Sequence, residues 1–195
     1  MCQLLIPSAQ KRIKIRYNIY VSNEQGENTG GGIFMNLVIT MSRRFGTGAS
    51  MIAEELSKKL GIPVYDKAYI EQELEGDSYA SEAEVIRELA THSCIILGRC
   101  ASEILKDQEN VFNIYVVADK EDRIARVMEK ESLSYDDAKA MLEKNDKDRS
   151  EYYYQNTGKV WGDVNNYHMI LDTSRLGREN CADILIKYFE RIEII

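Results

Sequence analysis

The sequence is poor in the residues that build metal sites and disulfide frameworks. Among its 195 residues there are two histidines, and the four cysteines are Cys2, Cys94, Cys100 and Cys181. No two of these cysteines have the CxxC spacing that is typical of zinc or redox motifs. This usage argues against a structural zinc site or a disulfide scaffold and favours reduced thiols in a cytoplasmic protein.

Two further absences narrow the function classes. No apolar run approaches the roughly 20 residues of a membrane span, so we expect no membrane partner. The net charge is -7, which leaves no broad basic surface for stable nucleic-acid binding. With 44% hydrophobic and 29% charged residues, the composition is that of a soluble globular protein. Nothing in the sequence indicates an oligomeric state.

Residues 1–34 read differently from the rest and are expected to form a leader and linker. Apolar residues alternate with polar ones over residues 13–21, which predicts a strand, and a polar, glycine-rich stretch follows at residues 22–32. Two interpretations stay open. Met35 is the biological start and the leader is translated from upstream, or the leader adds a strand to a sheet edge from a true start at Met1.

From residue 35 to 195, short apolar runs alternate with helical patterns. Such alternation predicts one α/β domain with a mostly parallel sheet and helices on both faces. The expected strands are Leu37–Met41, Ile62–Tyr65, Cys94–Leu97, Val111–Val117 and Tyr167–Leu171. The expected helices are Ser50–Leu60, Glu82–His92, Lys120–Glu131, a helix from Ser134 toward Tyr154, and Glu179–Arg191. In this class of fold, ligands bind at the carboxyl ends of the strands.

The first expected strand leads into a turn that resembles a phosphate-binding loop. The turn reads SRRFGTGAS, from Ser42 to Ser50, and precedes a helix whose N-terminus favours an anion. Laid on the P-loop pattern with Gly48 as the last glycine, Ala49 replaces the lysine and Ser50 falls where a hydroxyl would ligate magnesium. By itself the turn fits a phosphate cradle or an ordinary connection.

Other strand ends and helices supply charged residues. Asp66 ends the second strand, and Arg99 follows the third behind a glycine, where it can grip a phosphate or a carboxylate. Arg123 and Arg126 share a helix face, which alone is typical of a solvated surface. Arg149 stands three residues after Asp146, a spacing that would let the carboxylate hold its guanidinium.

The residues after Arg149 add an aromatic segment. Tyr152, Tyr153 and Tyr154 are adjacent, and one helix face cannot bury all three. We therefore expect at least one of these tyrosines to meet solvent or a ligand.

Taken together, four stretches resemble the cytidylate kinase-like family, a branch of the P-loop nucleoside monophosphate kinases. They read ITMSRRFGTGASMIAEELSKKLGIPVYDKAYI, EVIRELATHSCIILGRCASEIL, VFNIYVVADKEDRIARVMEKE and AKAMLEKNDKDRSEYYYQNTGKVWGDVNNYHMILDTSRLG. The resemblance implies a three-layer P-loop NTPase fold with a helical lid over residues 120–160. It also implies transfer of the ATP γ-phosphoryl, with Mg²⁺, to a nucleoside monophosphate of the cytidylate type.

The resemblance assigns expected roles to single residues. The cradle for the donor phosphates comprises Gly46, Thr47, Gly48, Ala49 and Ser50, with Arg43 and Arg44 nearby and Ser50 as the metal ligand. Arg99 matches the element that grips the acceptor phosphate. The residues that match the lid and its flanks are Arg123, Arg126 and Arg149. Asp66 is a candidate to orient the acceptor, because phosphoryl transfer depends on positioning and charge neutralisation.

Two departures from the family pattern weaken the expectation of activity. Relatives carry an arginine shortly after the P-loop glycines, where this chain has Ser50. Relatives also carry a longer helical segment over the acceptor, whereas residues 67–92 of this chain are shortened.

Two other function classes stay open. A nucleotide-binding module without turnover is favoured by Ala49 and by the shortened acceptor segment. A dinucleotide oxidoreductase is suggested by Gly46, Gly48 and Asp66, although Met51 stands where the third glycine of that fingerprint belongs.

Overall fold

The computed structural model describes residues 36–195 except 75 and 77. Residues 1–34, expected to form a leader, lie outside the described residues. The strands are β1 (Val38–Arg43), β2 (Val64–Tyr65), β3 (Cys94–Leu97), β4 (Val111–Val117) and β5 (Met169–Asp172). The helices are α1 (Ala49–Leu60), α2 (Lys67–Gln72), α3 (Tyr79–Leu89), α4 (Ala101–Ile104), α5 (Lys120–Glu131), α6 (Tyr135–Thr157), α7 (Thr173–Leu176) and α8 (Arg178–Arg191).

The strands form one parallel sheet in the order β2-β3-β1-β4-β5. The central strand β1 pairs with β3 on one side and with β4 on the other, so Val38 lies between Cys94 and Val111. From β1 the chain crosses to β2 at one edge of the sheet, and from β3 it crosses back over β1 to β4. This reversal of direction opens a crevice at the carboxyl end of β1. The SRRFGTGAS turn lies at this crevice.

Helices cover both faces of the sheet and give three layers. Residues of α1 and α8 pack on one face with Ile39, Met41 and Ile114, which alternate along the strands with residues of the other face. On that other face Val38 and Ile96 pack against Ile70 of α2, Ile86 of α3 and α4. The strands are buried on both sides, which is why they read as continuous apolar runs.

Helices α5 and α6 form an antiparallel pair beside the sheet. Their own small cluster buries Ile124, Val127, Ala138 and Leu142, with Phe45 of the P-loop-like turn packed against it. Ser134 caps α6 by accepting a hydrogen bond from the backbone N–H of Asp137 at 3.2 Å. This pair occupies most of the region that the family resemblance assigns to a lid.

The α/β fold predicted from the sequence is confirmed, with three short helices added. The sequence pattern did not indicate α2, α4 or α7, because segments of four to six residues show no helical period. The helix expected at Glu82–His92 begins earlier, at Tyr79, where Ser78 caps it. Among the described residues, no helix has the length and apolar character needed to cross a bilayer.

Candidate active site

The turn between β1 and α1 has the backbone of a phosphate cradle. Gly46 and Gly48 have φ of 77° and 82°, a conformation that favours glycine. The Thr47 hydroxyl donates a hydrogen bond to the carbonyl oxygen of Arg44 at 3.0 Å, which closes the turn. Gly48 is the N-cap of α1 without a side-chain cap, so the first N–H groups of α1 are free to bind an anion.

A cavity of about 610 Å³ opens over this turn. Its lining includes the whole turn from Arg43 to Met51 and residues of α1, α5, α6 and α8. Basic residues dominate its charge. The basic lining residues are Arg43, Arg44, Arg126, Lys130, Arg149 and Arg178, and the acidic ones are Glu54, Glu129 and Glu131. An excess of positive charge in a chain of net charge -7 indicates an anionic ligand.

A second cavity, of about 330 Å³, lies over the carboxyl ends of β1 and β3. Its lining residues are Ser42, Arg43, Lys67, Leu97, Gly98, Arg99, Cys100, Asn145, Asp148, Arg149, Tyr152, Tyr153 and Trp161. Aromatic side chains from two segments and charged groups therefore converge here, as in small-molecule sites, which range from about 300 to 1,000 Å³.

Arg43 and Arg149 line both cavities and thus mark the point where they meet. Arg149 Nη1 donates a hydrogen bond to the carbonyl oxygen of Arg43 at 2.9 Å, and its guanidinium lies over the Phe45 ring. Burial and the neighbouring Arg149 lower the pKa of Arg43 to about 10, while Asp66 acts in the opposite direction. Both side chains remain charged at neutral pH, so two cations lie at the junction of the cavities.

Arg99 lines the second cavity, but its guanidinium is already engaged. It pairs with Glu82, whose side chain is 2% exposed, and lies 3.7 Å from a carboxylate oxygen of Glu71. Tyr152 stacks under the guanidinium and donates its hydroxyl proton to Glu82 at 2.8 Å. Burial raises the pKa of Glu82, and the hydrogen bond from Tyr152 and the charge of Arg99 counteract that rise.

Arg123 is buried and holds elements together. Its Nη1 donates to Asp146 Oδ2 at 2.6 Å and to the carbonyl oxygen of Phe45 at 3.2 Å. Asp146 also accepts the backbone N–H of Phe45 at 2.8 Å. The helix face of Arg123 and Arg126 is typical of a solvated surface, but this interpretation is wrong for Arg123, which is 3% exposed. The prediction that Asp146 holds Arg149 is wrong as a direct pair, because the carboxylate bonds to Arg123, but the charge of Asp146 does counteract the lowering of the Arg149 pKa by burial.

Arg126 reaches the P-loop-like turn directly. Its Nη1 donates to the Thr173 hydroxyl at 2.9 Å and to the Thr47 carbonyl oxygen at 3.3 Å. The Thr173 hydroxyl donates to the same carbonyl at 3.0 Å, so α7 is fixed to the turn as well. Burial, and next the charge of Arg178, lower the pKa of Arg126.

The remaining predicted site residues occupy different places. Asp66 is exposed and caps α2 by accepting the backbone N–H of Tyr69 at 2.9 Å. Ser50 is exposed in the first turn of α1 and lines the first cavity, whereas Ala49 is buried beneath it. Of the three adjacent tyrosines, Tyr154 is 62% exposed, which confirms that the helix cannot bury them all.

The sequence-based prediction gave no role to several residues in or beside the two cavities, and three of them matter most for the site. Glu82 pairs with Arg99, Lys67 lines the second cavity, and Arg178 lines the first. Glu82 had no sequence signal, since a glutamate in a helical run resembles any solvated residue. Arg178 had one, because an arginine at the first position of a helix opposes the usual preference for acidic residues there.

The first cavity fits a polyphosphate anion better than it fits a protein-ligated metal. Free N–H groups of α1 and the basic lining suit a polyphosphate. The described residues contain no cluster of three or more His, Cys, Asp or Glu side chains that could hold a metal ion. Mg²⁺ would be held mainly through phosphates and water, as is usual for this ion, with the Ser50 hydroxyl as a protein ligand.

Comparison with known proteins places the chain among kinases. The sequence model of the cytidylate kinase-like family matches residues 38–77 and 71–175. A cytidylate kinase from Thermoplasma acidophilum is 26% identical over 155 residues, which cover 69% of this chain and 82% of that enzyme. The residues that the family model matches include the α5–α6 pair and the lining of both cavities except Arg178.

Solved structures agree on the fold. An uncharacterised protein from Eubacterium ventriosum is 27% identical, with a TM-score of 0.76 over 80% of this chain and 99% of that one. A shikimate kinase from Bacteroides thetaiotaomicron is 16% identical, with a TM-score of 0.53 over 79% of this chain and 98% of that one, and supports the fold alone. With its sequence matched from β1 to α7, the chain belongs to the cytidylate kinase-like family.

Proposed function

We propose that this protein is a kinase that transfers the γ-phosphoryl group of ATP to a nucleoside monophosphate, most simply a cytidylate. The observation that carries the proposal is the meeting of two cavities at Arg43 and Arg149. One cavity lies over a phosphate-binding turn, and the other contains aromatic and basic side chains. A reaction between two bound nucleotides needs such a paired arrangement, because the reacting oxygens must be brought in line.

In this proposal the donor binds over the turn from Gly46 to Ser50, with its phosphates against the first turn of α1. The acceptor binds in the second cavity, where its base lies near Tyr152 and Trp161. Arg99 orients the acceptor phosphate from the edge of that cavity, and Lys67 lies on the same lining. Asp66 follows β2, and its negative charge counteracts the lowering of the Arg43 pKa. In this proposal Asp66 helps to orient the acceptor.

Arg43 and Arg149 act on the phosphoryl group during transfer. A transferring phosphoryl spreads negative charge over its equatorial oxygens, and fixed cations stabilise that charge. Both guanidiniums are held in place, one against Gly98 and the other by its bond to the Arg43 carbonyl. Arg126 supports the donor side of the turn, and Mg²⁺, when bound, neutralises phosphate oxygens of the donor. No general base is required.

A coupled assay of ADP formation tests the proposal across acceptors. Mg-ATP is combined with CMP, dCMP, UMP and AMP in turn, and with small hydroxyl compounds such as shikimate, because a kinase of that substrate class shares the fold. We expect turnover with a cytidylate above the others. Turnover with a hydroxyl compound alone would show that the acceptor is not a nucleoside monophosphate. The absence of turnover with every acceptor would refute the proposed kinase activity.

The second candidate is a module that binds nucleotide without turnover. It is favoured by the engagement of Arg99 with Glu82 and by the short segment between α2 and α3. Calorimetry separates the two, since the module binds ATP while the coupled assay stays silent. A dinucleotide oxidoreductase does not fit, because β3 lies between β1 and β2, unlike the order of that fold. A cytoplasmic location remains a prediction from cysteine usage.

A further inference from the structure

The cation that a P-loop normally carries is replaced in this chain by Ala49, which is buried. Another basic side chain lies against the same turn. A Cβ built on Gly48 would stand 2.5 Å from Cδ and 3.1 Å from Cγ of Arg178. The aliphatic part of Arg178 therefore packs directly on the last glycine of the turn, and Arg178 is one of the residues that line the first cavity.

The local structure gives no reason for an arginine at this position. Arg178 is the first residue of α8, where the partial positive charge of the helix end favours acidic side chains. None of the ion pairs found among the described residues includes it. An uncharged side chain with the same aliphatic carbons would make the same packing contact with Gly48. The charge is thus left for a ligand.

A second guanidinium increases the local positive charge. Arg126 and Arg178 line the same cavity, and the charge of Arg178 helps to lower the pKa of Arg126. Two like charges at the mouth of an anion cradle repel each other in the free protein. A polyanion bound between them and the N-terminus of α1 would relieve that repulsion.

We propose that Arg178 binds the polyphosphate of the donor and takes the place of the missing P-loop lysine. The cation reaches the phosphates from the start of α8 rather than from the turn itself. This inference rests on the proposed function for the identity of the anion as a nucleoside triphosphate. Guanidinium suits the task, since it can contact two phosphate oxygens at once.

The test is a calorimetric titration of the full chain with tripolyphosphate and, separately, with Mg-ATP. The variant is Arg178→Met, which retains the aliphatic part that packs on Gly48 and removes the charge. Arg175→Ala is the matched control, because Arg175 lies on the neighbouring α7, is exposed, and is outside the cavity lining. Arg178→Lys tests whether a positive charge alone suffices. Thermal melting confirms that each variant is folded.

We expect Arg178→Met to weaken both ligands by about 10- to 100-fold, the scale of a lost charge-assisted hydrogen bond. Arg178→Lys should recover part of that affinity, and Arg175→Ala should match the wild type. Equal affinity of the wild type and Arg178→Met would overturn the inference, as would a wild type that binds neither ligand.

The outcomes also separate the inference from the proposed function. Tripolyphosphate binding that depends on Arg178, with no turnover of any nucleoside monophosphate, would support the site and refute the kinase. Normal turnover and ATP affinity in Arg178→Met would support the kinase and refute the role of Arg178.

Discussion

Arg149 of α6 donates a hydrogen bond from Nη1 to the carbonyl oxygen of Arg43, 106 positions earlier in the chain, at 2.9 Å. The bond ties the α5–α6 pair to the last residue of β1, where the two cavities meet. In the proposed reaction, an arginine held in this way would lose little conformational freedom on contacting the transferred phosphoryl group. Preorganised charge of this kind is the main source of catalysis in phosphoryl transfer.

Arg149→Ala should lower kcat by about 100- to 1,000-fold, the scale for removal of a preorganised donor to the transition state. Steady-state kinetics with the preferred acceptor measure the effect. Arg149→Lys should restore part of kcat, and Lys147→Ala, on an exposed position of the same helix, should be neutral. An unchanged kcat in folded Arg149→Ala would remove this residue from the mechanism.

Gly98→Ala should impair acceptor use by displacing Arg43. A Cβ at Gly98 would stand 2.5 Å from Nη1 of Arg43, and the backbone there has φ of +78°. Gly61→Ala is the matched control, because its φ of +66° imposes similar strain, about 1–2 kcal/mol, with nothing within 4 Å of the added carbon. We expect both variants to lose some stability and Gly98→Ala alone to raise the acceptor KM. A similar KM in both would contradict the placement of Arg43.

Arg99→Ala should lose acceptor affinity and also stability. The substitution leaves Glu82 buried without its cation, and breaking a buried pair in this way costs about 3–5 kcal/mol. The double variant Arg99→Ala/Glu82→Gln should recover stability, because no buried charge remains, while the acceptor KM stays high. A double variant with a normal acceptor KM would show that Arg99 serves the fold alone.

The stability lost in Arg99→Ala should depend on pH. Burial raises the pKa of Glu82, and removal of Arg99 takes away a group that counteracts the rise. In the pH range between the unfolded and folded pKa values, the folded state binds more protons, so stability falls as pH rises. Urea unfolding should therefore show a smaller deficit near pH 5 than near pH 7.5. An equal deficit at both values would contradict the assignment.

Substitutions of Arg123 and Arg126 should have different effects, the first mainly on stability and the second mainly on ATP affinity. Arg123→Gln breaks the buried pair with Asp146 and should lower the free energy of unfolding by about 3 kcal/mol. Arg126→Gln should cost less stability and more ATP affinity, because Arg126 lines the first cavity. Urea titration and ATP calorimetry on both variants measure the contrast. A larger stability loss in Arg126→Gln together with a larger loss of ATP affinity in Arg123→Gln would contradict these two roles.

Ser50→Ala should raise the Mg²⁺ concentration that gives half-maximal turnover by about tenfold, the scale for loss of a group that fixes a metal site. Ser50 lies in the first turn of α1, is exposed, and lines the first cavity. Ser50→Thr retains a hydroxyl and should behave as the wild type. An unchanged Mg²⁺ dependence in Ser50→Ala would show that the ion is held by phosphates and water alone.

The fold could be read from local patterns. Strands that are buried on both faces appear in the sequence as apolar runs. Gly61 ends α1 and Ser134 begins α6, and both are capping residues whose role depends only on the adjacent turn of helix. Local sequence also predicts the turn from Ser42 to Ser50, since its glycines and the following helix are adjacent in sequence. The resemblance to a kinase family then supplied expectations for Arg99 and Arg149.

The pairing of charges required the folded chain. Spacing along α6 suggested that Asp146 holds Arg149, yet the carboxylate pairs with Arg123 from another helix. The resemblance predicts that Arg99 grips the acceptor phosphate, and it gives no indication that Glu82 from α3 pairs with the same guanidinium. Electrostatic partners are chosen by distance in space, and packing of helices on a sheet brings together residues whose sequence separation carries no signal. For this reason the chain's own sequence defines the P-loop-like turn, whereas the cations that surround it are set by how α5, α6 and α8 pack around that turn.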